Sequence, residues 1–297
     1  MLKGMVSNRA LYDFLSKGCA GTVKAVFSGG VYLDFSGKVI MLHAAENGFV
    51  PFGIAVSEFK GKGKSFGIEA EMEIFAKDNL LECQETGFKI AFAFNEEVPE
   101  LVDESAFSSF AKKFEEYSEL AQRSCLSIYS ACDFEVITKE NIEDLFARVA
   151  YTGLVELVNA MDKNGTEMQF CSALEKLLGL GRGLTPSMDD FLCGMLFTLH
   201  YARRSIDIKL NWLGDLCAAV KKISPLRTNA YSAAYLLSAA EGEDFSAMRK
   251  CIETASDDRF GCNIERLIDI GSSSGADMFC GMLFAANYIM KQRQVTV

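Results

Sequence analysis

Three glycines at alternate positions, Gly179, Gly181 and Gly183, lead into Leu184-Thr185-Pro186-Ser187-Met188-Asp189-Asp190 and a long apolar run. Glycine reaches positive φ without strain and lets the backbone approach a ligand closely. Thr185-Pro186 reads as a helix start, a hydroxyl followed by proline at the first helical position. A glycine-bearing loop that feeds a helix N-terminus offers free N–H groups and the positive end of the helix dipole. The chemistry this suits is the holding of a small phosphate or carboxylate. The spacing is neither a P-loop, since no lysine follows, nor the dinucleotide fingerprint, since residues 172–178 read as helix and not strand.

Several side chains around this bend suit an anion. The amides of Gly181 and Gly183, with Thr185 and Ser187, are the proposed cradle, and the Arg182 guanidinium can grip an oxyanion bidentately. Asp189 and Asp190 are harder to place, because bare carboxylates repel a bound anion. Three arrangements remove the conflict. A Mg²⁺ ion bridges carboxylate and anion, a cation such as Arg182 compensates, or the aspartates face neutral parts of the ligand. A structural role competes with all three, since Ser187-x-x-Asp190 also fits a capping box and first-turn carboxylates suit the helix dipole.

The pattern recurs downstream. Ser274-Gly275-Ala276-Asp277-Met278-Phe279-Cys280-Gly281-Met282-Leu283-Phe284 repeats the stretch from Ser187 to Phe197 and pairs Asp190 with Asp277, Cys193 with Cys280 and Gly194 with Gly281. It too follows a bend, Gly271-Ser272-Ser273-Ser274-Gly275. Small residues at Cys193/Gly194 and Cys280/Gly281 let two helices cross closely. The expectation is therefore one site built from two halves, with Ser273, Ser274, Gly275 and Asp277 facing the first bend. Arg227-Thr228 opens a third loop–helix unit that adds a cation and a hydroxyl, with Thr228 also suited to cap the following helix. His200 and His43 have no partner pattern, and neither repeat cysteine has a base beside it in sequence, so thiol catalysis finds little support.

The bulk properties narrow the class. The chain has 297 residues and a net charge of −10, with no basic stripe, which argues against a nucleic-acid partner. No window matches the length and apolarity of a membrane span, and residues 1–18 mix charge with apolar residues unlike a signal peptide. Ten cysteines without a C-x-x-C pair and only two histidines argue for reduced thiols in the cytoplasm and against a zinc or disulfide framework.

The elements that must carry these residues fall into two groups. After a short leading helix at 6–17, residues 19–96 form brief β-branched and aromatic runs punctuated by Ser-Gly turns, and residues 67–75 alternate like a half-buried strand. Beyond a polar break near Pro99 nearly everything is helical, with helices expected at 104–123, 139–162, 166–178, 186–204, 210–223, 228–240, 245–255, 263–269 and 275–292. The expected class is α+β, with a small antiparallel β-rich N-terminal domain over residues 1–98 and a larger all-α domain over 99–297.

At Gly181-Arg-Gly-Leu-Thr-Pro-Ser-Met-Asp-Asp-Phe-Leu, with Gly271-Ser-Ser-Ser-Gly-Ala-Asp downstream, the chain resembles the AllH-like family linked to the oxamate carbamoyltransferase complex of anaerobic purine catabolism. Val50-Pro51-Phe52-Gly53-Ile54 is similar to a turn of that family. So are the stretches Arg227-Thr228-Asn229-Ala230-Tyr231-Ser232 and Ala239-Ala240-Glu241-Gly242. The sequence departs from the family pattern at Arg182, usually proline, and at Met188, usually glycine. The resemblance implies transfer of a carbamoyl group between oxalurate and phosphate, giving oxamate and carbamoyl phosphate, in a complex with an FdrA-like subunit and a third companion. On this reading Asp189, Asp190 and Asp277 orient the carbamoyl amine or a metal, and Arg182 and Arg227 neutralise charge. Two other readings stand beside it, a non-catalytic regulatory or structural subunit that binds a small anionic effector, and a stand-alone enzyme acting on another carbamoyl or acyl phosphate.

Overall fold

A computed structural model describes residues 1–27, 29–57, 59, 67–96, 104–116, 145–181 and 183–295. It divides into two compact units, Met1–Glu100 with Asp244–Ala247, and Leu101–Glu243 with Met248–Val297.

Among the described residues of the first unit, eight strands close into a barrel. They are β1 (Leu2–Val6), β2 (Cys19–Phe27), β3 (Gly30–Phe35), β4 (Lys38–Ala44), β5 (Gly53–Val56), β6 (Glu73–Lys77), β7 (Leu80–Cys83) and β8 (Phe88–Phe94), in the spatial order β1-β5-β4-β3-β2-β6-β7-β8. Local chemistry builds the hairpins. Ser36-Gly37 and Asp78-Asn79 take positive φ at both central positions, the backbone twist that matches a tight antiparallel turn.

The antiparallel sheet expected from sequence is corrected here to a closed barrel of mixed pairing. β1 runs parallel to β8, with Leu2 opposite Ile90 and Val6 opposite Phe94, and β4 runs parallel to β5. The closing strand, β1, has no turn signal tying it to its neighbours, which is why a residue-by-residue reading passed over it. The alternating stretch 67–75 is strand only from Glu73, because Gly67 and Glu71 adopt φ of 66° and 69° and cannot continue a ladder. Val23, Val31, Leu33, Ile40, Ile54, Ile74, Leu81 and Ile90 are sealed in the barrel core. The helix α1 (Arg9–Ser16), capped by the Asn8 side chain on the Leu11 amide, adds Leu11 and Leu15 to it.

The second unit contains, among the described residues, α2 (Glu104–Glu116), α3 (Leu145–Asp162), α4 (Glu167–Leu177), α5 (Ser187–Ser205), α6 (Leu213–Arg227), α7 (Ala230–Ala240), α9 (Phe260–Ile268) and α10 (Ser274–Val295); α8 (Ser246–Glu253) begins at the edge of the first unit. The parts of the predicted helices at 104–123 and 139–162 that fall in residues 117–144 lie outside the described residues. α5 is the hub. Every residue from Ser187 to Ala202 is buried, as expected of a helix that is apolar on all faces. It packs along α10, with α7 on its other side, while α2 and α9 flank α10.

Candidate functional site

The two related helices cross reciprocally. A Cβ on Gly194 of α5 would run into the carbonyl oxygen of Met278 on α10, and a Cβ on Gly281 of α10 would run into the carbonyl oxygen of Phe191 on α5. Met278 is the repeat equivalent of Phe191, and Gly281 of Gly194. Each helix therefore uses its glycine to seat the same point of the other, and the pair relates by a local twofold. The rings of Phe191 and Phe284 pack at a tilt across the two helices, 5.4 Å between centroids.

This crossing brings the two N-terminal bends together. Thr185 Oγ1 and Ser274 Oγ lie 2.9 Å apart, although the residues are 89 positions apart in sequence. Beneath them Asp190 and Asp277 sit in the first turns of α5 and α10, 1% and 0% exposed. Burial pushes the Asp190 carboxyl well above the usual range; the hydroxyls of Thr185 and Ser274 offset part of this, while the charges of Asp277 and Asp189 add to it. Asp190 Oδ2 is buried and finds no hydrogen-bond donor, and neither does the hydroxyl of the fully buried Ser187.

The start of α5 differs from the sequence expectation. Pro186, at φ −57° and ψ 140°, is the residue before the helix and makes no side-chain cap; Ser187 is the first helical residue. Thr185 is thus displaced from the N-cap and is spent on Ser274. The Met188 amide donates to the Leu180 carbonyl, so the preceding loop itself closes the first turn. The Met188 side chain is fully buried.

Asp189 works as a clasp. Its Oδ1 accepts from the Gly179 amide at 2.8 Å, and its Oδ2 accepts from the Thr228 hydroxyl. Burial raises its carboxyl pKa, and Thr228, Gly179 and Ser232 pull it back. The same seam is closed by Asn229. Its amide nitrogen donates to the Leu184 carbonyl at 2.7 Å, while its Oδ1 accepts from the Tyr231 and Ser232 amides and caps α7. Asn229, not Thr228, is therefore the cap. Asn229 went unselected from sequence, although an asparagine directly before an alanine-rich helix carries the N-cap signature.

Other expected residues are placed as follows. Gly179, Gly181 and Gly183 have φ of 77°, 131° and 101°. A Cβ at Gly179 would meet the Arg227 carbonyl oxygen, 2.6 Å away, and one at Gly181 would strike the Ser187 amide. These two glycines therefore serve close packing of the loop on its own chain, and Gly183 is exposed. Gly275 lets α10 approach the Leu267 carbonyl of α9. Ser273 is 7% exposed and its carbonyl accepts from the Asp277 amide. Arg227 ends α6 and turns to α4, donating to the Glu175 carbonyl at 3.3 Å. Arg182 lies outside the described residues. His43 and His200 are buried, with pKa values lowered to about 4 by desolvation. Among the described residues no group of three or more His, Cys, Asp or Glu side chains is arranged to hold a metal ion. Nor is any described helix long and apolar enough to cross a membrane.

Residues 177–286 match the family of the oxamate carbamoyltransferase subunit AllH. The matched segment opens at the glycine loop and runs past Phe284, so it contains the clasp, the Arg227-Thr228-Asn229 seam and both halves of the helix crossing. The likeness to the AllH-like family read from sequence holds over this segment, while the turn at residues 50–54 lies outside it. The AllH family is named for a subunit, which implies a multi-subunit assembly. No curated protein and no solved structure matches the chain.

Proposed function

We propose that this protein is a subunit of a carbamoyltransferase acting on small anions, and that the paired bends at Thr185 and Ser274 hold the anion. The reaction is transfer of a carbamoyl group from oxalurate to phosphate, yielding oxamate and carbamoyl phosphate, or its reverse. The observation that carries the reading is the 2.9 Å meeting of Thr185 and Ser274, because it sets two helix N-termini side by side. Two positive dipole ends then face the same small volume. In this reading the amides of Gly181 and Gly183 supply donors, the hydroxyls of Thr185 and Ser274 turn from Asp190 to the anion as it binds, and Arg182 is the cation that the sequence offers. Chemistry of this kind depends on positioning and on stabilising charge more than on a covalent nucleophile. The repeat cysteines fit that division, since burial pushes the Cys193 thiol well up, away from thiolate chemistry.

A partner surface belongs to this reading. Leu184, whose carbonyl accepts from Asn229, and Leu226, in the last turn of α6, are exposed at 47% and 77%. In this reading these two exposed leucines meet a companion subunit, FdrA-like or otherwise, that covers the anion.

Titration of the purified chain with oxamate, phosphate and carbamoyl phosphate by calorimetry and thermal shift tests the proposal. Binding of at least one of these anions is expected, and Thr185→Val with Ser274→Ala should weaken it at least tenfold. No binding by the isolated chain and none in its assembled complex would sink the reading.

A further inference from the structure

We propose that a cavity at the far ends of α5 and α10, walled by Trp212, holds a small organic cation, an ammonium head with an apolar body, on the Oδ2 atom of Asp162. This site is separate from the bends and does not depend on the anion reading. Ser187 at the start of α5 lies about 27 Å along the helix from Ser205 at its end, and the cavity takes in Asp207, two residues beyond that end.

The cavity has a volume of about 520 Å³ and is lined entirely by residues of the helical unit, a size suited to a small molecule. One wall is apolar. Trp212, 4% exposed, meets Tyr288 edge to face with ring centroids 6.0 Å apart, and Leu210 continues the surface. Asp162 supplies the polar anchor. The Tyr288 hydroxyl and the Gln292 side-chain amide both donate to its Oδ1, each at 2.9 Å. Burial pushes the Tyr288 phenol up, so its proton stays available to Asp162. Two donors on one oxygen fix the carboxylate, while Oδ2 has no partner among the described residues and the side chain is open to solvent. A fixed carboxylate with one oxygen unspent, set beside aromatic rings, is the surrounding that an ammonium group prefers.

The wider charge distribution agrees. α3 ends at Asp162, and Tyr288 and Gln292 lie in the last two turns of α10, so both helices bring their negative ends to the cavity. Asp207 adds a second carboxylate with no partner among the described residues. Of the two cations that line the cavity, Arg293 is already paired with Glu104. Lys209 has no described partner and leaves one uncommitted positive charge against two negative ones. An amine is therefore attracted, and a carboxylate carried by the same ligand can lie against Lys209, so simple amines and amino acids share the required chemistry.

Trp212 is the only tryptophan in the chain, so its fluorescence reports on this cavity alone. The full chain is titrated with phenethylamine, with L-phenylalanine, which adds a carboxylate, and with 3-phenylpropionate, which keeps the carboxylate and lacks the amine. Saturable changes in Trp212 emission are expected with the first two and none with the third. Asp162→Asn, which keeps the shape and the Oδ1 acceptor, should weaken both amines at least tenfold. Lys209→Met should weaken phenylalanine and not phenethylamine if the natural ligand is an amino acid, and neither if it is a simple amine; either pattern supports the cation site. No saturable change with either amine, binding of phenylpropionate as tight as that of the amines, or unchanged affinity in Asp162→Asn overturns the proposal. The first two of these outcomes are read on the unmodified protein and stand whether or not a variant folds. None of them bears on the anion site at Thr185 and Ser274.

Discussion

The two copies of the glycine–serine bend and its helix are best understood by what they do not share. At the position of Asp189 in the first copy the second has Ala276, and at that of Met188 it has Gly275. Asp189 ties the first bend to Gly179 and Thr228, a job with no counterpart in the second, where the bend is held instead by α9 pressing against Gly275. Met188 fills a buried space that the second copy gives over to the Leu267 carbonyl. Common to both are the serine, the aspartate and the run Cys-Gly-Met-Leu-Phe, whose glycine seats the crossing. The glycine serves the crossing in both copies, whereas Asp189 and Met188 in the first and Gly275 in the second serve the separate surroundings of each helix.

The comparison breaks most visibly at the crossing. Gly194→Ala and Gly281→Ala should each cost about 3 kcal/mol in urea unfolding, because each adds a Cβ where a backbone carbonyl already sits and neither helix can yield without moving the other. The two losses should be similar in size and less than additive together, since either one separates the same pair. A large loss at one position with tolerance at the other would refute the reciprocal seating.

Asp189→Ala should cost about 2 kcal/mol by the same measurement, because it leaves the Gly179 amide and the Thr228 hydroxyl without their acceptor. Thr228→Val removes only one arm of the clasp and should cost about half as much. Equal effects would mean that the Gly179 arm adds nothing.

Asp190→Asn gives the smallest effect and one of opposite sign. Because the folded chain raises the Asp190 pKa above its ordinary 3.8, the native state holds more proton than the unfolded state above that pH. Stability must therefore decline as pH rises from about 4 through the raised value. The asparagine variant lacks that decline. It should be more stable than the wild type at pH 8 by about 1 kcal/mol, with the gap closing toward pH 4. A variant less stable than the wild type at pH 8 would show that the Asp190 charge is welcomed by the fold.

Much of the site was legible in the sequence because its causes are local or repeated. Glycines at alternate positions foretold positive φ at 179, 181 and 183, and the echo of Ser187–Phe197 in Ser274–Phe284 foretold a close helix crossing. Helix edges near proline were less legible. Proline fits both the residue before a helix and the first residue within it; the Leu180 carbonyl, by taking the Met188 amide, decides between them. Pro225 likewise falls inside α6, where sequence had placed a stop.

By itself the sequence determined which segments turn, which helices are apolar on every side, and that two of those helices are copies, because dihedral preference and hydrophobic period act between near neighbours. Only the tertiary structure decided that β1 closes the barrel against β8, that Thr185 meets Ser274 instead of capping its own helix, and that Asp189 braces a loop while Asp190 is buried against the Thr185 and Ser274 hydroxyls. Those outcomes depend on register and on which surfaces bury one another, and partners separated by tens of residues leave no mark in local spacing.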